Sequence, residues 1–380
     1  MSGFATLDQT LRQTCNSGQV AGLVAMAASG DKIIYSGAFG PRQPGGPAMA
    51  LDDIFWMASM TKAVTTLAAL QLVERGKLAL DAPIGPLVPE LAQPSVLAGT
   101  QLRPAKGHVT LRHLLTHTSG LAYDMWNGGY KAWLAKSGTP GMGGGRLAAL
   151  KVPLMSDPGT RWAYSTGLDF AGRAVEAASG QRLDHYFRDH IFEPLGMKDT
   201  GFVLTPPQRP RIAAMHRRQP DGSLLHIPFE VNQAPEFFSG GGGLYGTAPD
   251  YLRFVQMILN RGRGPGGQIV RPETIAMMVQ NQIGGLEVQP MFTAMPGVTN
   301  DVEFWPGMVK KWGLGFLLNM QQTPEGRAAG SLAWAGLGNC YYWIVPASDI
   351  AGVMMMQTLP FYDAQCLEAF RAFERAVYAR

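Results

Sequence analysis

Charge is scarce in this chain. Only 16% of its 380 residues are Asp, Glu, Lys or Arg, while 46% are apolar. That balance excludes an intrinsically disordered protein and leaves enough apolar surface for one large core or two smaller ones. The formal net charge of +4 is small for the length and does not call for a polyanionic partner. The densest basic stretch holds Arg209, Arg211, His216, Arg217 and Arg218 beside prolines. It lacks the interleaved aromatics on which bases stack, so it reads as a solvated loop and no nucleic acid is expected.

Cysteine is rarer still. Cys15, Cys340 and Cys366 are odd in number and have no ligand-like spacing. They read as reduced thiols, not a disulfide framework. No run of about 18 apolar residues is present, so no membrane span is expected. The opening "MSGFATLDQTLRQTC" has no basic segment followed by an apolar one, so no signal peptide is expected either. A soluble cytoplasmic protein follows by elimination. The Gly-x-Ser-x-Gly elbow is also missing, which counts against the α/β-hydrolase type of esterase.

What is present falls into three stretches. Residues 7–17 read as an amphipathic helix. "GLVAMAAS" and "KIIYSGAFG" are apolar runs joined at Ser29-Gly30-Asp31, a hairpin signal. Ala58 to Arg75 has helical composition and is closed by Gly76. From about 80 to 235, Pro and Gly are frequent and strand signals are weak. Short helices are expected there over "TLRHLLTHTSG", "STGLDFAGRAVEAASG" and "LDHYFRDHIFEPLGM". The C-terminal part returns to strands in "LAWAGLG", "CYYWIVP" and "IAGVMMMQ", followed by an amphipathic helix to the end. Tight connections between successive strands imply antiparallel pairing. The expected fold class is therefore α/β (α+β): an antiparallel sheet of five or more strands flanked by helices. It is built from residues 1–80 and 236–380, with a mostly helical insertion at 81–235.

Three constellations could carry chemistry, and each has an ordinary reading beside the functional one. Ser59 and Lys62 in "MASMTKAVTT" stand at i and i+3, on one helix face. An exposed lysine is the usual outcome for such a pair. Surrounded by Met57, Ala58, Met60, Ala63, Val64 and Leu67, however, a desolvated lysine becomes a base able to activate a serine at a helix start. Tyr164 in "PGTRWAYSTG" could relay protons with a depressed pKa beside an ammonium; alternatively it is a half-buried aromatic. Ala335, Gly336 and Gly338 in "AWAGLGNCYYW" allow close approach to the backbone. The Leu337 N–H could then join that of Ser59 in holding an oxyanion; the alternative is a glycine-bearing edge strand.

Taken together and in this order, the three resemble the serine β-lactamase-like hydrolases: class C β-lactamases, D-alanyl-D-alanine carboxypeptidases and family VIII carboxylesterases. The resemblance covers nearly the whole chain through "ASMTK", "LVERGKLALDAPIGPLVPEL", "LRHLLTHTSGL", "YSTG", "FSGGGGLYGTAPDYLRFVQMIL" and "WAG". It implies a β-lactamase/penicillin-binding-protein-like fold. It makes Ser59 the acylated nucleophile, Lys62 and Tyr164 the base and proton shuttle, and Ser59 and Leu337 the oxyanion donors. It implies no cofactor and no metal. The sequence departs from the family pattern at Thr166, which replaces an Asn, and at Trp334 and Ala335, which replace Lys and Thr. Loss of that cation, and an apolar wall from Trp334, tilt the expected substrate from anionic lactams toward neutral short-chain esters.

The expected substrate-binding residues are Trp334, Ala335 and Gly336, with Tyr123, Trp126, Phe238 and Trp312 as candidate pocket aromatics. A β-lactamase, peptidase, amidase or acyltransferase with the same machinery is the alternative enzyme, and a silent binding protein the alternative outside catalysis. His113 and His117 have zinc-helix spacing, but Leu114 stands where a metalloprotease needs Glu, so a structural role is expected for both. The run Gly240 to Gly243 has no following lysine and reads as a close-packed turn, not a phosphate loop.

Overall fold

The computed structural model describes residues 4–379. Seven strands form the main sheet: β1 (Leu23–Ala28), β2 (Ile33–Phe39), β3 (Lys310–Trp312), β4 (Leu317–Asn319), β5 (Leu332–Gly336), β6 (Cys340–Val345) and β7 (Ile350–Met355). Their order is β3-β4-β5-β6-β7-β1-β2, antiparallel throughout. The five expected strands are contiguous in it. The two extra strands have three residues each, too few for alternation to register in the sequence.

Six helices frame the site: α1 (Ala5–Asn16), α2 (Thr61–Glu74), α3 (Leu111–Leu115), α4 (Gly167–Ser179), α5 (Ala248–Leu259) and α6 (Ala364–Tyr378). On one face of the sheet, α1 and α6 pack together, and Tyr35 of β2 meets Phe373 at 5.5 Å and donates to Asp8. On the other face lies α5, with α2 beyond the sheet layer. Every residue of α2 from Thr61 to Leu72 is buried. A helix buried on all sides can sit only at the centre, and α2 packs chiefly against α4 and the 183–192 segment.

Among the described residues, segment 81–235 gives no strand to the main sheet. It carries α3, α4 and small ribbons, among them Ser95–Ala98 paired with Gln101–Pro104. One hydrophobic cluster runs continuously from the sheet into this segment. No helix among the described residues is long and apolar enough to cross a membrane.

One expected helix is much shorter than the sequence implied. "TLRHLLTHTSG" is helical only over α3, which opens on a capping box between Thr110 and His113. The Thr116 hydroxyl then turns back to the Arg112 carbonyl, Thr118 N–H donates to the His113 carbonyl, and His117 adopts φ +59°. Local hydroxyl bonds compete with continued helix here, so His113 and His117 do not stack on one helical face.

Candidate active site

Ser59 sits in the middle of a single 3-10 turn, Ala58–Met60, that leads into α2. The turn begins with strain: Ala58 has φ +46°, a left-handed conformation that costs an L-residue about 1–2 kcal/mol. Side-chain bonds hold it. Thr61 Oγ1 donates to the Ala58 carbonyl at 2.6 Å and accepts from Leu244 N–H at 3.1 Å. The Tyr251 hydroxyl donates to the Met60 carbonyl. A residue locked out of its preferred region immediately before the serine aims that side chain outward, into a cavity of about 350 Å³.

Lys62, one turn further on, has no solvent exposure. Its Nζ lies 3.0 Å from Ser59 Oγ, 3.0 Å from the Tyr123 hydroxyl and 2.6 Å from the Gly241 carbonyl oxygen. Three acceptors match the three N–H bonds of an ammonium. The neutral amine keeps two of them and turns its lone pair toward a hydroxyl. Burial lowers its pKa from 10.5 to about 7, against an upward pull from Asp169. The neutral amine is thereby accessible near neutral pH, in contact with the serine hydroxyl.

Tyr164 stands across from them. Its hydroxyl shares a hydrogen bond with Ser59 and accepts one from the Trp334 indole N–H at 3.0 Å. Burial raises its pKa, which overturns the expectation of a depressed one. Burial likewise raises that of Tyr123. Both phenols stay protonated, so Lys62 is the group in this cluster able to accept a proton near neutrality. Lys62 Nζ lies 5.1 and 4.9 Å from the Tyr123 and Tyr164 ring centres, so both rings offer its ammonium cation–π contacts.

The strand β5 brings the second wall. Trp334, Ala335 and Leu337 line the cavity beside Ser59. Leu337 N–H donates to no backbone group among the described residues, and Ser59 N–H precedes the first bonded amides of its turn. Two unpaired N–H groups thus border one cavity, an arrangement that can hold an oxyanion. Gly336 explains the close fit: a Cβ there would lie 2.3 Å from the Met57 carbonyl oxygen. Gly336→Ala is expected to push β5 off the serine turn. The predicted loss is about 10²-fold in kcat, the scale of one misplaced oxyanion donor. Steady-state kinetics alongside a thermal melt check it, since a melt shift with intact kcat would contradict the alignment role.

A scan of protein families matches residues 7–376 to the model described as Beta-lactamase. The chain belongs to the Beta-lactamase family. Monacolin J acid methylbutanoyltransferase of Aspergillus terreus is 31% identical, over 98% of this chain and 95% of its own length. Esterase EstB of Burkholderia gladioli is 31% identical, over 99% and 95%. The solved LovD6 mutant of simvastatin synthase from Aspergillus terreus superposes with a TM-score of 0.85 at 29% identity, covering 99% of this chain and 97% of that one. This chain is thus an enzyme of the β-lactamase-like serine hydrolase/acyltransferase superfamily, with the β-lactamase/penicillin-binding-protein-like fold.

Several sequence candidates stand elsewhere than expected within this Beta-lactamase-family site. Phe238 does not line the serine cavity; it packs on Phe202 at 4.9 Å, with the Arg182 guanidinium over its ring. Trp312 is fully buried behind Trp334, at 4.7 Å, and donates to the Leu115 carbonyl. Both are aromatics that satisfy the core before they reach the cleft. Trp126 lines the cavity as expected, whereas Tyr123 does more than line it by bonding Lys62. Trp334 is more than an apolar wall, because its indole N–H holds the Tyr164 oxygen. Thr166 makes no bond to Lys62, and its hydroxyl is buried without a partner. The Gly241 carbonyl and the Tyr123 hydroxyl are what hold the amine.

Asp169 was not singled out in the sequence. It is fully buried on α4, and its Oδ1 accepts from Ser239 Oγ at 2.5 Å and Gly241 N–H at 3.1 Å. Gly241 must be glycine, since a Cβ would lie 2.5 Å from Asp169 Oδ2. The glycine run is thereby a bracket joining Asp169 to Lys62. The available signal was an acid placed between Leu168 and Phe170 in a helix that turns those residues into the core.

His117 packs tilted against Tyr164, ring centres 4.7 Å apart, and its Nδ1 meets Ser165. Burial keeps it neutral. No group of three or more His, Cys, Asp or Glu among the described residues is placed to hold a metal.

Proposed function

We propose that this chain is a carboxylesterase for neutral, short-acyl esters, working through a Ser59 acyl-enzyme. The observation that carries the reading is a desolvated Lys62 amine in contact with Ser59, beside a cavity lined by no cationic side chain among the described residues. The neutral amine takes the Ser59 proton as Oγ attacks the ester carbonyl. The tetrahedral oxyanion rests on the N–H groups of Ser59 and Leu337. As the C–O bond to the alcohol breaks, the Lys62–Tyr164 pair returns the proton to the departing oxygen. Water then attacks the acyl carbonyl, gives its proton to the same pair, and frees Ser59 with the carboxylic acid.

The lining supports an uncharged substrate. Trp56, Met125, Trp126, Phe229, Trp334 and Phe361 supply apolar surface, while Asp124 and Glu230 are the acids near the opening. Glu230 is paired with Arg209 at 2.8 Å, and Asp124 forms no ion pair among the described residues. A lactam carboxylate would lose its hydration here and gain no counter-charge. The prediction is that p-nitrophenyl butyrate exceeds a chromogenic cephalosporin by about 10²–10³ in kcat/KM, the effect of an unpaired desolvated charge. Comparable turnover of the two would end this assignment.

A second reading keeps the chemistry and replaces water by an alcohol. It draws on the relative named a methylbutanoyltransferase and on the apolar lining, which favours an organic acceptor over water. Adding acceptor alcohols to the ester assay and quantifying transesterified product separates transfer from hydrolysis.

A further inference from the structure

Strands β5 and β6 pair from Leu332 with Ile344 to Gly336 with Cys340, so Leu337, Gly338 and Asn339 make the connection. In a three-residue hairpin loop the last position takes a left-handed conformation, and glycine is its usual occupant. Asn339 holds it here, with φ +61°. Its side chain is fully buried, and all four of its hydrogen-bonding positions are used. Nδ2 donates to the Thr358 carbonyl at 2.7 Å and to the Pro360 carbonyl at 3.0 Å. Oδ1 accepts from the Tyr341 hydroxyl at 2.7 Å and from Asp363 N–H at 3.2 Å. Glycine would meet the backbone requirement at less cost, so the amide answers a second one. It pins the turn that carries the Leu337 N–H to segment 358–363. Among the described residues the backbone adds one bond between the two, from Thr358 N–H to the Gly338 carbonyl.

We propose that Asn339 is a positioning residue whose amide fixes the Leu337 N–H where an oxyanion on the Ser59 adduct needs it. The inference rests on the acyl-enzyme reading above. Segment 358–363 is a firm anchor. Phe361 is bonded on its far side, through its N–H to the Val298 carbonyl at 2.8 Å and through its carbonyl to Asn300 N–H at 2.9 Å, and Asp363 caps α6. Phe361 is also a wall of the serine cavity. Loss of the Asn339 amide therefore releases the turn and leaves the wall in place. The oxyanion exists only in the tetrahedral state, whereas the wall meets the substrate throughout. The expected signature is a fall in kcat with KM held.

Asn339→Gly keeps the left-handed backbone and removes the amide. The test measures p-nitrophenyl butyrate kinetics and the second-order rate at which a phosphonate probe labels Ser59, with kcat normalised to the labelled fraction. That fraction reports folded protein. The labelling rate reports the donor, because the phosphoryl oxygen also gathers negative charge as Ser59 attacks. Asn339→Gly is expected to lower normalised kcat and labelling rate together by about ten- to thirtyfold, less than for a donor removed outright, with KM within about twofold. Tyr341→Phe keeps the ring stacked on Phe370 at 4.6 Å and deletes one of the four bonds. It is expected to cost about two- to threefold in the same two rates, and it decides the question if Asn339→Gly does not fold. A reduced labelled fraction at wild-type rate would show a structural role alone and overturn the proposal, as would a loss carried by KM with kcat intact. If wild type is labelled but turns over no ester, the ester reading has failed, and the labelling rates still judge Asn339.

Discussion

Ser59→Ala is expected to remove ester turnover by about 10⁴-fold or more, the scale seen when an acylated nucleophile is deleted. It is also expected to abolish labelling by a phosphonate serine probe, read as loss of the adduct mass in the intact protein. The fold should survive. Ser59 Oγ is bonded within the cluster of Lys62 and Tyr164, while the strained turn is held from outside by Thr61, Leu244 and Tyr251. Removing one hydroxyl leaves the Lys62 amine its Gly241 and Tyr123 partners, so the melting temperature should stay close to that of wild type. Wild-type turnover in a folded Ser59→Ala protein would reject the serine as nucleophile. An absent adduct in wild type would instead favour a silent binding protein on this scaffold.

The parts of this site written locally in the sequence were legible, and those assembled across the chain were not. Ser59 and Lys62 lie one turn apart, and Tyr164 stands three residues before a helix, so spacing alone presents them as candidates. Four of the five main strands show as apolar runs because they are mostly buried on both sides, whereas β2, at the sheet edge, is buried only at Tyr35 and Phe39. Asp169 and Gly241 are 72 positions apart, and nothing local announces that a carboxylate and a glycine amide will meet. The aromatics show the converse difficulty. Trp126 reaches the cavity, while Trp312 and Phe238 serve the core, and composition treats all three alike. Only packing decides which ring has a free face.

Trp334 illustrates a substitution whose meaning changed once the fold was known. Read as a sequence, it removes a cation and adds apolar area. In the structure it also supplies a hydrogen bond to the phenol, replacing a mobile charge with a fixed dipole. The same residue that stands in place of the expected lysine thus orients Tyr164. Under the proposed ester reading, substrate preference and proton transfer would be coupled through this one side chain.

Lys62 carries the pH dependence, and its sign follows from which form is active. Burial brings the pKa to about 7, and only the neutral amine accepts the serine proton. The ratio kcat/KM for a neutral ester should therefore rise with pH through about 7 and level off above it. Asp169 stabilises the ammonium, so Asp169→Asn is expected to move that midpoint to lower pH; an upward move would contradict the assigned coupling. Lys62→Arg places a permanent charge where a base is needed, and Lys62→Met removes the base altogether. Both should cost about 10³-fold or more. Stability runs the other way. The folded lysine holds its proton less tightly than the unfolded one, whose pKa is near 10.5. Between those values the unfolded chain binds more protons, so this group's contribution to stability grows as pH rises from about 7. Below about 7 the full penalty of a buried charge applies. The melting temperature of Lys62→Met relative to wild type should accordingly be most favourable near pH 6 and decline toward pH 9. A difference that is flat across this range would mean that the lysine is not desolvated in solution, and the serine would then have no base.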